Sequence, residues 1–303
     1  MKKTIVMACA VPPWARRWKS GPWVGIAALQ EEIHRSGPSW LRVDPFRAAK
    51  KRLPLADDEM GWYWSWHDVF PKEVHCAPQA AAEGRPFIMG PFFNPGDQER
   101  SLMVSPACRL LLCLSPNMLV KWLGVVPDLA TPVLSCPMPI DPLPEPPLPV
   151  EHDVLVYVKS GRLRRLGRPQ KWLYGLIDGI RLRFPNAAVL HYGKHGRAEL
   201  YELARRSAAC LQLTCWESHS LLQSEVLCAG CPLVGTPAGT TWIASGPDIG
   251  RHITEDFGLQ EIIEAVEQCH AIDRQAVRDW AVDQVAPNRV LQRLLPALDA
   301  ARH

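Results

Sequence analysis

The sequence predicts an α/β protein made of two doubly wound, parallel-sheet domains. Three observations lead there. In the second half, short buried-strand runs alternate with helix-length segments, from Val154–Val158 through Gln170–Phe184, Ala188–Tyr192 and Arg197–Ser207 to Leu211–Cys215. Such alternation implies a parallel sheet. At the start, a strand-like Lys3–Val11 runs into a proline-rich loop with Gly21 and Gly25. A helix over Val24–Arg35 follows, closed by Gly37, as in the opening of a doubly wound domain. Between the halves, residues 127–149 hold nine prolines, too many for a helix or a central strand. The boundary is placed in this extended, semi-stiff linker. The predicted domains are 1–140 and 141–303, with the final helices able to pack back on the first domain.

Further elements follow from the same patterns. Trp62, Trp64 and Trp66 alternate as in a strand or extended loop. Pro86–Met89 and Leu110–Leu114 are short apolar runs of the buried-strand kind. Asn117–Leu123 reads as a helix capped by Ser115 or Asn117. Leu233–Thr236 reads as a strand. The end is helical, over Leu259–His270, Arg274–Val285 and Asn288–Leu295, with Pro296 as a stop.

Composition limits the function classes. The 303 residues are 47% hydrophobic and 21% charged, which supports a sizeable core and argues against disorder. No apolar run reaches the ~18 residues that read as a membrane span. Met1–Val11 mimics a signal peptide, but its apolar stretch is short and Arg16 and Arg17 follow closely. It reads as a first buried strand in a cytoplasmic protein. Ten cysteines show no framework, and the single C-x-x-C, Cys228–Cys231, has no second pair at zinc-ligand spacing. They are expected to be small buried hydrophobes in a reducing compartment. The net charge is +3, unevenly spread: residues 1–53 carry eleven Lys/Arg against three Asp/Glu. Trp14, Trp18, Trp23 and Trp40 lie in the same stretch, which suggests an anionic partner.

The most informative residues are Glu217 and Glu225. One acid follows a strand and the other rides the next helix, at the end of an α/β sheet where ligands bind. Lys159, Arg162, Arg164 and Arg165 follow the first strand of the same domain. A nucleoside diphosphate sugar makes matching demands. Its ribose offers two adjacent hydroxyls that one carboxylate can accept from, the role assigned to Glu225. Its diphosphate needs cations and backbone N–H donors, available from the basic loop and from the helix beginning near Ser220 and Leu221. Glu217 stands where the sugar hydroxyls need an acceptor. Tyr192-Gly193, at the end of what reads as the middle strand, can border the base, and Gly21 joins Gly193 as a glycine expected at the donor.

The segment from Gly193 to Trp242 resembles the nucleotide-binding core of family-4 retaining glycosyltransferases of the GT-B fold. Their hallmark is E-x7-E, usually Glu-x-Phe-Gly-x-x-x-x-Glu, followed by Ala-x-Gly-x-Pro-Val-Val. Here stand Glu217, Ser218, His219, Ser220 and Glu225, then Cys228-Ala229-Gly230-Cys231-Pro232-Leu233-Val234. Pro139-Ile140-Asp141 also resembles the family's linker signature. Ser220 replaces the usual glycine and His219 the usual aromatic residue. The likeness covers about half the chain well.

The resemblance implies two Rossmann-like domains facing a central cleft, with a UDP- or GDP-sugar as donor. It implies Glu225 on the ribose and Glu217 on the donor sugar. The backbone amides of Ser220, Leu221 and Leu222 would face the phosphates, with Lys159 and Arg162 as phosphate cations. It further implies transfer with retention, no dedicated protein base and no required metal. No Asp-x-Asp motif occurs. The basic, Trp-rich first half matches, in plan, compact phage-type DNA glycosyltransferases, so a hydroxymethylated pyrimidine in DNA is the first expected acceptor. His67-Asp68 can line the acceptor cleft. The alternatives left open are a membrane-surface transferase acting on a lipid-linked or saccharide acceptor, and a catalytically silent nucleotide- or DNA-binding protein.

Overall fold

The computed structural model of the chain describes residues 2–7, 22–43, 55–63, 76–92, 97–142, 145–159, 170–214, 217, 220–244 and 246–303. Gly21, Arg162, Arg164, Arg165, the pair His67-Asp68 and Trp14, Trp18, Trp64 and Trp66 lie outside the described residues, as does the side chain of Trp23. The chain divides into two compact units: Met1–Asp141 with Val285–His303, and Pro142–Gln284.

The first unit opens with β1 (Thr4–Met7), α1 (Pro22–Ser36), β2 (Leu41–Val43) and β3 (Glu59–Tyr63). It continues through α2 (Cys76–Ala82), β4 (Phe87–Phe92), α3 (Asp97–Met103), β5 (Cys108–Cys113), α4 (Pro116–Val125) and β6 (Val133–Ser135). Its parallel sheet has the order β2-β1-β3-β4-β5-β6. Ile5, Val6 and Met7 are buried one after another, as a strand covered on both faces demands. Ser115 caps α4, its hydroxyl accepting from the Met118 amide at 3.3 Å, with Pro116 in the first turn where a missing N–H costs nothing. Trp62 is a core residue of β3, fully buried, its indole N–H donating to the Gly90 carbonyl at 2.7 Å. Trp40 lies beneath the Arg302 guanidinium, 4.5 Å from ring centre to carbon.

The second unit holds β7 (Leu155–Val158), α5 (Gln170–Arg183), β8 (Ala188–His191), α6 (Arg197–Arg205), β9 (Cys210–Leu213) and α7 (Leu221–Cys228). Then come β10 (Leu233–Gly235), β11 (Gly250–His252), α8 (Leu259–Cys269) and α9 (Arg274–Val285). Its parallel sheet runs β11-β10-β9-β7-β8. All four residues of β7 and of β9 are buried. The strand before Tyr192-Gly193, expected in the middle, is the edge strand β8.

The last helix, α10 (Pro287–Ala301), belongs to the first unit and packs on α1 and β5. It runs through Pro296 rather than stopping there. Its buried stripe, Val290, Leu291, Leu294 and Leu298, spans the proline, so packing outweighs the lost ladder bond.

Within 127–149 the proline count excludes a helix or a central strand, yet β6 pairs there as an edge strand beside β5. The segment's far end is fastened to the second unit. Arg205 Nε donates to the Pro146 carbonyl at 2.9 Å and its Nη1 to Glu145 at 2.6 Å, and Arg274 Nη1 reaches the Leu148 carbonyl at 2.7 Å. These guanidinium donors satisfy main-chain carbonyls of the proline-rich stretch, those of Pro146 and Leu148.

Candidate active site in the second unit

In a doubly wound sheet, ligands bind outside the carboxyl ends of the strands where the chain order reverses. In the second unit the chain steps from β7 to β8 on one side and to β9 on the other, so the reversal lies between β7 and β9. Lys159 follows β7 directly, its amide donating to the Leu213 carbonyl of β9 at 3.3 Å. Its ammonium is ion-paired with the carboxylate of Glu217 and sits 5.0 Å from the Tyr192 ring centre, at the end of β8. Glu217 is buried, its amide held by the Ala238 carbonyl at 2.9 Å. Lys159 thus touches the ends of β8 and β9 and the residue Glu217 beyond β9.

Ser220 precedes α7, but its hydroxyl does not cap the helix. It is buried and meets the Gln212 amide at 3.4 Å. Gln223 donates to Gln212 Oε1 at 2.7 Å and to the Gly239 carbonyl at 2.6 Å, which fixes the direction of both amides. The Leu221 and Leu222 amides, at the head of α7, therefore keep the N–H groups that a helix start leaves without intrahelical partners. Two buried oxygens nearby in sequence, Thr214 Oγ1 and Gln223 Oε1, have no hydrogen-bond partner among the described residues.

Glu225 lies mid-helix on α7. Arg197, the first residue of α6, donates Nε to Glu225 Oε1 at 2.8 Å. Arg197 Nη2 is 3.4 Å from the Tyr201 hydroxyl, and its guanidinium lies over the Tyr201 ring at 5.2 Å. Burial pushes the Glu225 carboxyl above the usual carboxylate range, while Arg197 and His195 act in the opposite direction. Tyr157 on β7 meets the His195 ring edge-on, the centroids 5.5 Å apart, and burial raises its hydroxyl well above the phenol range.

The structure therefore brings Lys159 and Glu217 into contact and places Ser220, Leu221, Leu222 and Glu225 on the adjoining helix and its approach. Gly193 follows the edge strand. Its φ of +76° accounts for the glycine, and a Cβ there would meet no protein atom within 4 Å. Arg197, Tyr201, His195 and the Gln212–Gln223 pair were not singled out from sequence. Arg197 looks there like any residue opening a helix after a glycine. Cys228 and Cys231 are buried free thiols, that of Cys228 pushed up to about 12 by burial. Among the described residues, no three His, Cys, Asp or Glu side chains gather as a metal site, and no helix is long and apolar enough to cross a membrane.

The fold is that of GT-B glycosyltransferases: two parallel-sheet α/β units. Among similar solved structures is AviGT4, a glycosyltransferase involved in avilamycin A biosynthesis, with a TM-score of 0.58 and 17% identity over 100% of this chain and 98% of that one. The lipopolysaccharide outer core galactosyltransferase WaaB has a TM-score of 0.62 and 10% identity, over 99% of each chain. HepE of Anabaena, in complex with UDP and glucose, has a TM-score of 0.57 and 12% identity, over 99% of this chain and 100% of that one. No protein-family model and no curated protein matches the chain.

Proposed function

We propose that the protein is a glycosyltransferase that moves a sugar from a nucleoside diphosphate sugar, UDP- or GDP-linked, to an acceptor hydroxyl with retention. One observation carries this reading. Lys159 and Glu217 meet at the switch point of the second unit, beside the helix that bears Glu225. Glu225 takes the ribose and Glu217 the sugar hydroxyls, while Lys159, Arg162 and the amides at the head of α7 face the diphosphate. The bond from the anomeric carbon to the diphosphate breaks with its electron pair on the leaving oxygen. The acceptor oxygen bonds to the same face, and its proton passes to a phosphate oxygen. Charge developing on the leaving group is what a cation and a helix N-terminus stabilise.

The acceptor we favour is a saccharide hydroxyl. A DNA acceptor draws support from exposed tryptophans, and of the tryptophans in positions 1–66 whose side chains are described, Trp62 is core and Trp40 is half-buried with Arg302 over its ring. Among structures of the same fold, WaaB is a lipopolysaccharide outer core galactosyltransferase and AviGT4 a glycosyltransferase involved in avilamycin A biosynthesis. Hydroxymethylated pyrimidine in DNA is the second reading, favoured by the eleven basic residues of positions 1–53. The seven buried free thiols among the described residues fit a reducing compartment, and we place the enzyme in the cytoplasm.

The test incubates the protein with UDP- and GDP-sugars and follows release of the nucleoside diphosphate. Parallel arms offer hydroxymethylated DNA, plain DNA, lipid-linked saccharide in vesicles and free oligosaccharide, each read by mass spectrometry, with the anomeric configuration of any product assigned by NMR. A sugar added to one acceptor, with α or β geometry matching the donor, supports transfer with retention. Binding without release, across the whole panel, leaves a silent binding protein instead.

A further inference from the structure

The carboxylate of Glu225 makes one hydrogen bond among the described residues, to Arg197 Nε. That guanidinium is itself held, resting over the Tyr201 ring with Nη2 3.4 Å from the Tyr201 hydroxyl. Both side chains of the ion pair are largely withdrawn from solvent, with 30% of Arg197 and 15% of Glu225 exposed. A carboxylate in such a place either keeps a cation or takes up a proton. A protonated Glu225 would present a donor to ribose hydroxyls and lose its charge-assisted acceptance.

We propose that Arg197 is a positioning residue for nucleotide recognition: stacked on Tyr201, it occupies Oε1 of Glu225, fixes the direction of that carboxylate, and leaves Oε2 to accept from the ribose. The inference rests on the reading that Glu225 binds the ribose of the donor. Among the described residues, the ionisable groups facing Glu225 are Arg197 and Tyr201 on α6, His195 before it, Tyr157 on β7 and Cys228 further along α7. Of these, Arg197 alone gives the carboxylate a hydrogen bond. Removing it leaves burial, which raises the carboxyl, opposed by His195 and no longer by the guanidinium, so Glu225 holds its proton to higher pH than in the wild type.

The experiment measures the Kd of UDP and of 2′-deoxy-UDP by calorimetry, with GDP and its deoxy form in parallel, from about pH 6 to about pH 8. The full chain is compared with Glu225→Gln, Arg197→Met and Arg197→Lys, each first checked for folding by thermal melting. The wild type should prefer the ribonucleotide at every pH. Arg197→Met should lose about tenfold in affinity near neutrality, as for a lost charge-assisted hydrogen bond. It should lose the ribose preference as well, and recover both as the pH rises. Arg197→Lys should restore the flat pH profile while recovering part of the affinity. If Arg197→Met does not fold, Tyr201→Phe removes the hydroxyl beside Nη2, and a pH-dependent loss of ribose preference is then expected.

A ribose preference that Glu225→Gln abolishes but the Arg197 and Tyr201 variants leave intact at every pH overturns the role of Arg197 and leaves Glu225 on the ribose. A wild type without ribose preference, or with a preference that survives Glu225→Gln, sinks the reading of Glu225 and this proposal with it.

Discussion

Lys159 and Glu217, 58 residues apart in sequence, form an ion pair that bridges the carboxyl ends of β7 and β9. Glu217 is the more buried partner, with 7% of its side chain exposed against 18% for Lys159. Removing the cation strands a carboxylate, whereas removing the charge from both leaves none to strand. Lys159→Met should therefore cost about 1–3 kcal/mol. The double variant Lys159→Met/Glu217→Gln should cost less than the sum of the two single changes. Urea denaturation of the four proteins closes the cycle. On the proposed roles of Lys159 at the diphosphate and Glu217 at the sugar hydroxyls, donor turnover should be lost in all three variants. Strictly additive stabilities would deny the pair its energetic coupling.

Glu225 gives a pH dependence of definite sign. Its folded carboxyl titrates above the ordinary 4.5, so the folded state holds a proton that the unfolded state has released. The stability this provides is fully present below the unfolded value and is lost as pH rises through the folded one. Glu225→Gln removes the titration. The stability of the wild type minus that of the variant should therefore fall as pH rises from about 4 towards 7. Denaturant melts across that range read the slope, and a difference that rises with pH would contradict the burial of this group.

Much of this site is legible in sequence because parallel strands buried on both faces read as continuous apolar runs. Leu155–Val158 stands out in that way, Leu211–Cys215 reads as a strand from its place in the alternation although Gln212 and Thr214 interrupt it, and the residues that follow both are placed by topology alone. Lys159 and Glu217 are found for that reason. Arg197 is not, since its link to Glu225 is a tertiary contact across 28 positions with no local signal. The strands β6 and β11 are three residues long and lie at sheet edges. Val-Leu-Ser beside prolines and Gly-Arg-His carry neither alternation nor an apolar run. Pro296 misleads because a proline breaks a helix only where packing does not hold both sides of it, and α10 is held by Leu291, Leu294 and Leu298.

Gly239 tests the loop that supports Glu217. The Ala238 carbonyl holds the Glu217 amide, and the Gly239 carbonyl holds Gln223. A Cβ on Gly239 would lie 2.7 Å from the Thr214 carbonyl oxygen and 3.0 Å from Thr236 Oγ1. The first of these is backbone and cannot swing aside, so the loop itself must move. Gly239→Ala should cost about 1–3 kcal/mol. It should also lower turnover more than about tenfold, as misplacement near a reacting centre does. Kinetics and melting of this variant should be set beside Gly196→Ala, whose Cβ meets nothing within 4 Å. Equal effects from the two would show that the close approach is immaterial.

Trp62 separates a core role from an acceptor role for the aromatic N-terminal half. Its ring is fully buried in β3, and its indole N–H satisfies the Gly90 carbonyl. Trp62→Phe removes that donor and part of the packed ring, leaving a buried carbonyl unmatched and a small void. The expected cost is about 1–3 kcal/mol in a denaturant melt. A base-stacking tryptophan would behave in the opposite way, costing little stability and weakening single-stranded DNA binding by the ~1–3 kcal/mol typical of one stacked base. Gel-shift titration of the variant against the wild type, at fixed salt, reads that second quantity. Stability should fall and whatever DNA affinity the wild type has should stay unchanged, because a side chain sealed beneath its sheet has no face to offer a base.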